Sequence, residues 1–190
     1  MQLFSKKEHL DRWIMDAKNG DSRAQRSIYE HLSAKMYAVC LRYMGDKEAA
    51  QDVLQDGFVI LFNKLSTYSG EGSFEGWARR IFTNTALMVL RQHDVMRDSG
   101  DIEKAYGLFD EGESVIQRIS YQELLRKVSE LPPGFRTVFN MYVIEGYSHK
   151  EIAEALGIGE ATSRSQLQRA RVMLQEMIKS NGRKKRNSIR

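Results

Sequence analysis

The sequence predicts an all-α protein, and three observations carry that prediction. Only two prolines occur in 190 residues, and strong helix formers fill the stretches between them. Apolar residues recur three and four positions apart in one segment after another, the spacing of helices with one buried face. Capping residues stand at the head of several of those segments. The 28% of charged residues and a mean hydropathy of −0.50 fit a soluble, ordered chain. No run approaches the roughly 18 apolar residues of a membrane span, and the first residues lack the apolar core of a signal peptide. A single cysteine, Cys40, leaves no disulfide framework and no cysteine-based metal site, which fits a reducing cytoplasm. Cys40 itself reads as a small core residue. The net charge of +4 and pI of about 9.1 are compatible with a nucleic-acid partner without demanding one.

Taken in order, residues 1–20 read as a helix ending at Asn19-Gly20, with Trp13 and Ile14 as a docking edge whose partner the sequence does not name. Asp21 caps a second helix whose stripe is Ala24, Ile28, Leu32, Met36, Val39, Cys40 and Tyr43. Gly45 breaks the pattern and Asp46 caps a third helix, about 47–65. Ala50, Val53, Leu54, Gly57, Phe58, Leu61 and Leu65 give it a broad core stripe. Asp52, Gln55, Asp56 and Val59 run down another face, and on spacing alone they are the wet side of an amphipathic helix. Residues 68–73, rich in Gly and Ser, form a loop. In the helix after it Phe74, Trp77, Ile81, Ala86 and Leu90 face a core, and Arg79, Arg80, Asn84, Arg91 and Arg97 stay polar. Aromatics beside arginines suit single-stranded nucleic acid, because bases stack on rings while cations track the backbone. Trp77, one turn from Phe74 and Ile81, reads as mainly structural.

Residues 98–117 are acidic, glycine-punctuated and weakly periodic, an interdomain linker. Helices return with Leu124, Leu125, Val128 and Leu131, stop at Pro132-Pro133, and resume with Phe135, Val138, Phe139, Tyr142 and Val143 up to Gly146. The domains are therefore 1–97 and 118–178, with residues 179–190 as a basic, disordered tail that adds nonspecific attraction to DNA.

The most informative stretch is 148–171. Ser148 and Glu151 have the spacing of a capping box. Ile152, Ala153 and Leu156 stripe a short helix, and Gly157 stands where the chain must turn. A longer helix from Glu160 buries Leu167, Ala170 and Leu174 and turns Arg164, Ser165, Gln166, Gln168, Arg169 and Arg171 outward. That is a helix-turn-helix. Arg and Gln on its outer face suit guanine, adenine and phosphate in a major groove. The plain alternative is a solvated helix of an ordinary bundle.

Two helical domains joined by an acidic linker, the helix-turn-helix last, resemble the extracytoplasmic-function (ECF) sigma factors of bacterial RNA polymerase, with regions 2 and 4 of the sigma-70 family. The motifs that carry the resemblance are Gly45-Asp46, AAQDVLQDGFVILF, Phe74-x-x-Trp77 with Ile81, Asn84 and Arg91, and LPPGFRTVFNMYVIEGYSHKEIAEALGIGEATSRSQLQRARVML. The resemblance implies a promoter-specificity subunit without a cofactor. It overturns the plain reading of Asp52, Gln55 and Asp56, which would dock on the clamp helices of the polymerase's largest subunit. Tyr68, Ser69, Ser73, Arg79, Arg80, Asn84 and Arg91 would contact the minus-ten element, where a flipped base tips the duplex toward melting. Lys150, Arg164, Ser165, Gln166, Arg169 and Arg171 would read the minus-thirty-five element, with this domain on the flap of the second-largest subunit. An anti-sigma factor is a further implied partner. Gly159, Ala161, Ser163 and Gln166 depart from the family pattern, and Gly57 stands where Glu is common, removing an acidic contact.

Other classes fare worse. A free-standing dimeric regulator would need an apolar dimerisation seam, and none is evident. An enzyme would need a site, yet His9, His31, His93 and His149 are scattered without ligand spacing and no nucleophile–base set is visible.

Overall fold

A computed structural model describes the backbone of residues 6–92 and 121–187 and the side chains of 9–92 and 123–180. Eight α-helices and no strand occur among the described residues: α1 (Lys6–Lys18), α2 (Ser22–Met44), α3 (Lys47–Asn63), α4 (Phe74–Gln92), α5 (Tyr121–Ser129), α6 (Pro133–Phe139), α7 (His149–Leu156) and α8 (Glu160–Asn187). The chain clusters into two compact units, one of Met1–Leu41 and Asp46–Val89, the other of Arg42–Gly45 and Leu90–Arg190. The expected linker, 98–117, and Arg97 lie outside the described residues. No described helix is long and apolar enough to cross a membrane.

In the first unit, side-chain caps set the helix starts. Asp21 accepts from the amides of Arg23 (2.7 Å) and Ala24 (3.1 Å), and Asp46 from those of Glu48 and Ala49, both at 2.9 Å. Each cap satisfies amides that the first turn leaves unpaired and contributes about 1 kcal/mol. Along α2, Ala24, Ile28, Leu32, Met36, Val39 and Cys40 are all buried. Burial pushes the Cys40 thiol up to about 12, so it stays protonated and unreactive. The docking edge of α1 is Ile14 with Ala17, both buried, while Trp13 is half-buried and meets His31 edge-on at 6.2 Å. Its partner is the short 3-10 turn Leu65–Thr67 that follows α3.

Aromatic rings fill the space between α2, α3 and α4. Phe58 lies 4.5 Å from Tyr29 and 5.0 Å, edge-on, from Phe82, an arrangement that aligns ring edge with ring face. The core side of α4 is Phe74, Ala78, Phe82, Ala86, Leu87 and Leu90. Trp77 and Ile81, expected in that stripe, are only half-buried. Ala78 and Phe82 hold the central positions instead, one residue further round the helix, because Phe82 is the ring that fits against α3.

In the second unit α6 and α7 both pack on α8. Pro133 opens α6 at a position where a missing amide costs nothing. Arg136 ties α6 back to the end of α5, donating from Nη1 to the carbonyls of Ser129 (3.0 Å) and Leu131 (3.3 Å). Phe135, Val138 and Phe139 are buried, but Tyr142 and Val143 are not. At Asn140–Ile144 the helix widens into a π-turn, closed by Glu145 N–H to Asn140 C=O at 3.0 Å. The wider turn breaks the 3.6-residue period and swings those two side chains outward. The expected disordered tail also differs: α8 continues to Asn187.

Candidate nucleic-acid interface

The faces of α3 separate cleanly. Asp52, Gln55, Asp56 and Val59 are exposed, and Ala50, Val53, Leu54, Gly57, Phe58 and Leu61 are buried. Gly57 therefore lies in the core and removes no acidic contact from the outer face. A Cβ there would stand 2.4 Å from Cδ1 and Cε1 of Phe82, far inside van der Waals contact, so this close approach of α3 to α4 needs glycine. Val59, 60% exposed, completes the line of Asp52, Gln55 and Asp56 as an apolar member. Its i+7 spacing from Asp52 was legible in the sequence.

The connection from α3 to α4 is built around Tyr68. Its ring is buried between Phe74 (5.1 Å) and Trp77 (5.3 Å), and its hydroxyl donates to the carbonyl of Gly72 at 3.0 Å. Lys18 of α1 donates from Nζ to the Tyr68 carbonyl at 2.6 Å. Tyr68 thus shapes the loop from beneath and offers no free ring face or hydroxyl. Gly70 and Gly72 have φ of 86° and 74°, which L side chains adopt only with strain. Ser69 and Ser73 stay exposed, accepting from the amides of Glu71 and Gly76, both at 3.3 Å.

On α4, Arg80, Asn84, Met88 and Arg91 form one exposed line at spacings of four, four and three. Arg79 is on a different face. Its guanidinium meets Glu75 at 3.5 Å, and Glu75 also binds Lys35 of α2. The Lys35 hydrogen bond, ahead of the nearby positive charges, holds the Glu75 carboxyl below its ordinary value. The structure groups Arg80, Asn84 and Arg91 together and leaves Arg79 apart, in an ion-pair cluster.

In the second unit the capping box is complete. Ser148 accepts from the Glu151 amide at 3.2 Å, and Glu151 accepts from the Ser148 amide at 2.8 Å. Gly157 ends α7 with φ 68° and ψ 32°, the left-handed cap that a glycine adopts without penalty. On α8 the outer face holds Arg164, Ser165, Gln168 and Arg171, all exposed, with Arg169 half-buried and Lys150 exposed nearby in sequence on α7. Arg164 pairs with Glu160 at 2.7 Å, an exposed pair weak enough to exchange for another anion. Gln166 is a correction. It is 6% exposed, and its Oε1 has no hydrogen-bond partner. With Ser163, Leu167, Ala170 and Leu174 it sits at the i, i+3, i+4, i+7, i+11 positions of the buried stripe, which begins one turn earlier than the apolar residues alone suggest.

Ser163 explains that early start. It is fully buried and bonds His149 Nδ1 at 2.9 Å, while the imidazole stacks on Tyr142 (4.5 Å, 22°). Burial, then the charge of Arg164, lowers the His149 pKa and favours the neutral ring. Here a polar pair joins α7 to α8 where an apolar contact was expected. Nothing in the spacing of one His and one Ser fourteen residues apart foretells it.

The Sigma-70 region 2 family model matches residues 28–95, and that of Sigma-70, region 4 matches residues 121–174. The ECF RNA polymerase sigma factor SigE of Mycolicibacterium smegmatis is 29% identical over 174 residues, 87% of this chain and 66% of that protein, just under two thirds of its length. SigW of Bacillus subtilis, another ECF RNA polymerase sigma factor, is 25% identical over 191 residues, 94% of this chain and 99% of that protein. The sigma factor RpoE of Bartonella quintana, solved in complex with the anti-sigma factor NepR, is similar with a TM-score of 0.47 at 18% identity, covering 81% of this chain and 96% of that one. With regions 2 and 4 both matched, in order and together along more than half of its length, the chain belongs to the sigma-70 family, and among the members it is similar to are ECF RNA polymerase sigma factors.

Proposed function

We propose that this chain is a promoter-recognition subunit of a bacterial RNA polymerase and has no chemistry of its own. The exposed line of α3, Asp52, Gln55, Asp56 and Val59, docks on the clamp helices of the largest subunit. The loop 68–73 and the line Arg80, Asn84 and Arg91 on α4 hold the non-template strand of the minus-ten element. Arg164, Ser165, Arg169 and Arg171 of α8, with Lys150, read the minus-thirty-five element as duplex while the second unit rests on the polymerase flap. Capturing one unstacked base offsets the few kcal/mol lost on unpairing it, so melting needs no nucleotide hydrolysis. An anti-sigma factor that covers these faces would hold the protein inactive in the cytoplasm.

One observation carries the reading. In both matched regions the polar residues that the resemblance singles out stand mostly exposed on helices whose opposite sides are core. The test is run-off transcription from a promoter library with core polymerase, with and without this protein. Sequence-specific starts are expected to appear with it and to fade with Asp52→Ala plus Asp56→Ala. Tight binding to a palindrome without core polymerase would make the chain a conventional dimeric regulator and sink the proposal.

A further inference from the structure

Sequence alone gave α1 no role beyond docking. In the structure it forms one wall of a cleft of about 620 Å³ whose other wall is the loop after the 3-10 turn. Leu10, Ile14 and Phe74 make the cleft apolar at depth, and Ile14 and Phe74 are themselves 5% and 4% exposed. Met15, 67% exposed, stands at the rim as a free apolar surface. On the facing wall Gly70 and Gly72 present bare peptide, and nothing lies within 4 Å of where their Cβ atoms would be. The width is held from both ends: Lys18 of α1 grips the Tyr68 carbonyl, and the Tyr68 hydroxyl grips that of Gly72. The site is a slot apolar on the side of α1 and Phe74 and lined by bare peptide on the other, with room for a ring between them.

Asp11 lines this slot and is exposed. Its carboxylate has no ion pair or hydrogen bond among the described residues. An ionised carboxylate only accepts hydrogen bonds. It pairs with an amino group on a base edge, as with cytosine N4, and is opposed by the two carbonyls that flank the single N–H of thymine.

We propose that Asp11 is a specificity-determining residue of base capture, accepting a hydrogen bond from the amino group of a non-template base turned out into the slot between α1 and loop 68–73. The slot therefore takes an amino-bearing base and rejects thymine. This rests on the base-capture part of the proposed function and adds a residue of α1 to it.

The experiment uses the full chain with core polymerase. Placing 2-aminopurine at each non-template position of the minus-ten element in turn finds the unstacked base by its rise in fluorescence. All four natural bases are then compared at that position for open-complex formation by the wild type, Asp11→Ala and Asp11→Asn. Asp11 is exposed, so both variants should fold, and matching circular dichroism spectra check that. The wild type is expected to disfavour thymine about tenfold, the worth of one good base-edge contact. Asp11→Ala should bring the four bases close together, and Asp11→Asn, whose amide both accepts from an amino group and donates to a carbonyl, should lose the bias against thymine while still accepting the amino-bearing bases. A fluorescent position whose discrimination against thymine is the same in all three proteins overturns the role of Asp11 and leaves base capture standing. No fluorescent position at all overturns base capture, and Asp11's role with it.

Discussion

The turn between α7 and α8 and the connection between α3 and α4 solve the same problem, joining two packed helices, by opposite means. The first is three residues long and is held by its own backbone: Gly157 turns left-handed, and its amide and that of Ile158 bond back to the Ala153 carbonyl. The second, residues 64–73, opens with a 3-10 turn closed by its own backbone, but its remainder, 68–73, is held by side chains, one of them fifty residues away, through Lys18 on the Tyr68 carbonyl and Tyr68 on Gly72. A locally closed turn announces itself in sequence. A connection closed by distant contacts does not, and this is why Tyr68 read as a strand contact and is found instead beneath the loop.

The comparison can be broken at either end. The largest effect is expected at Gly57, where α3 and α4 meet. Gly57→Leu drives a side chain into the Phe82 ring and should cost about 3 kcal/mol in denaturant unfolding, the upper part of the usual range for overpacking. A cost near zero would mean that α3 and α4 do not need this approach. Gly157→Val tests the local turn: a β-branched residue held at φ 68° should cost about 2 kcal/mol, with hydrogen exchange rising in α7 and α8. Ser148→Ala, which removes the cap but leaves the turn, should cost about 1 kcal/mol.

Smaller effects sharpen the contrast. Lys18→Met should lower stability by no more than about 1 kcal/mol, yet the amides of 68–73 should exchange faster while those of 157–159 keep their protection. Equal protection in both would show that the α3–α4 connection is closed locally after all. The smallest effect is at His149. Its folded-state pKa is lowered from the ordinary 6.5, mainly by burial. The neutral ring is thus the form the fold favours, and the stability it supplies is present above that ordinary value and lost as pH falls through the folded-state value. Thermal unfolding of His149→Gln should show a flatter pH dependence below about pH 6.5 than the wild type, with the turn at Gly157 unaffected.

By itself the sequence determined the all-helical class, the helix starts at Asp21, Asp46 and Ser148, the turn at Gly157, the core stripes of α2 and α3, and the exposed line of Asp52, Gln55 and Asp56. Each is a property of a short window, in which a cap, a glycine or a 3.6-residue period acts on neighbours within about two turns. Tertiary structure alone decided where that period breaks or polarity misleads. The π-turn at Asn140–Ile144 swung Tyr142 and Val143 outward. Ser163 and Gln166 went inward because the packing of α8 on α6 and α7 fixes which side is buried, whatever the polarity of two of its members. Gly57 proved to be a packing requirement of Phe82, and α1 became the wall of a cleft whose other wall lies fifty residues on. Contacts of that range depend on how whole helices are placed, and no local pattern of residues encodes them.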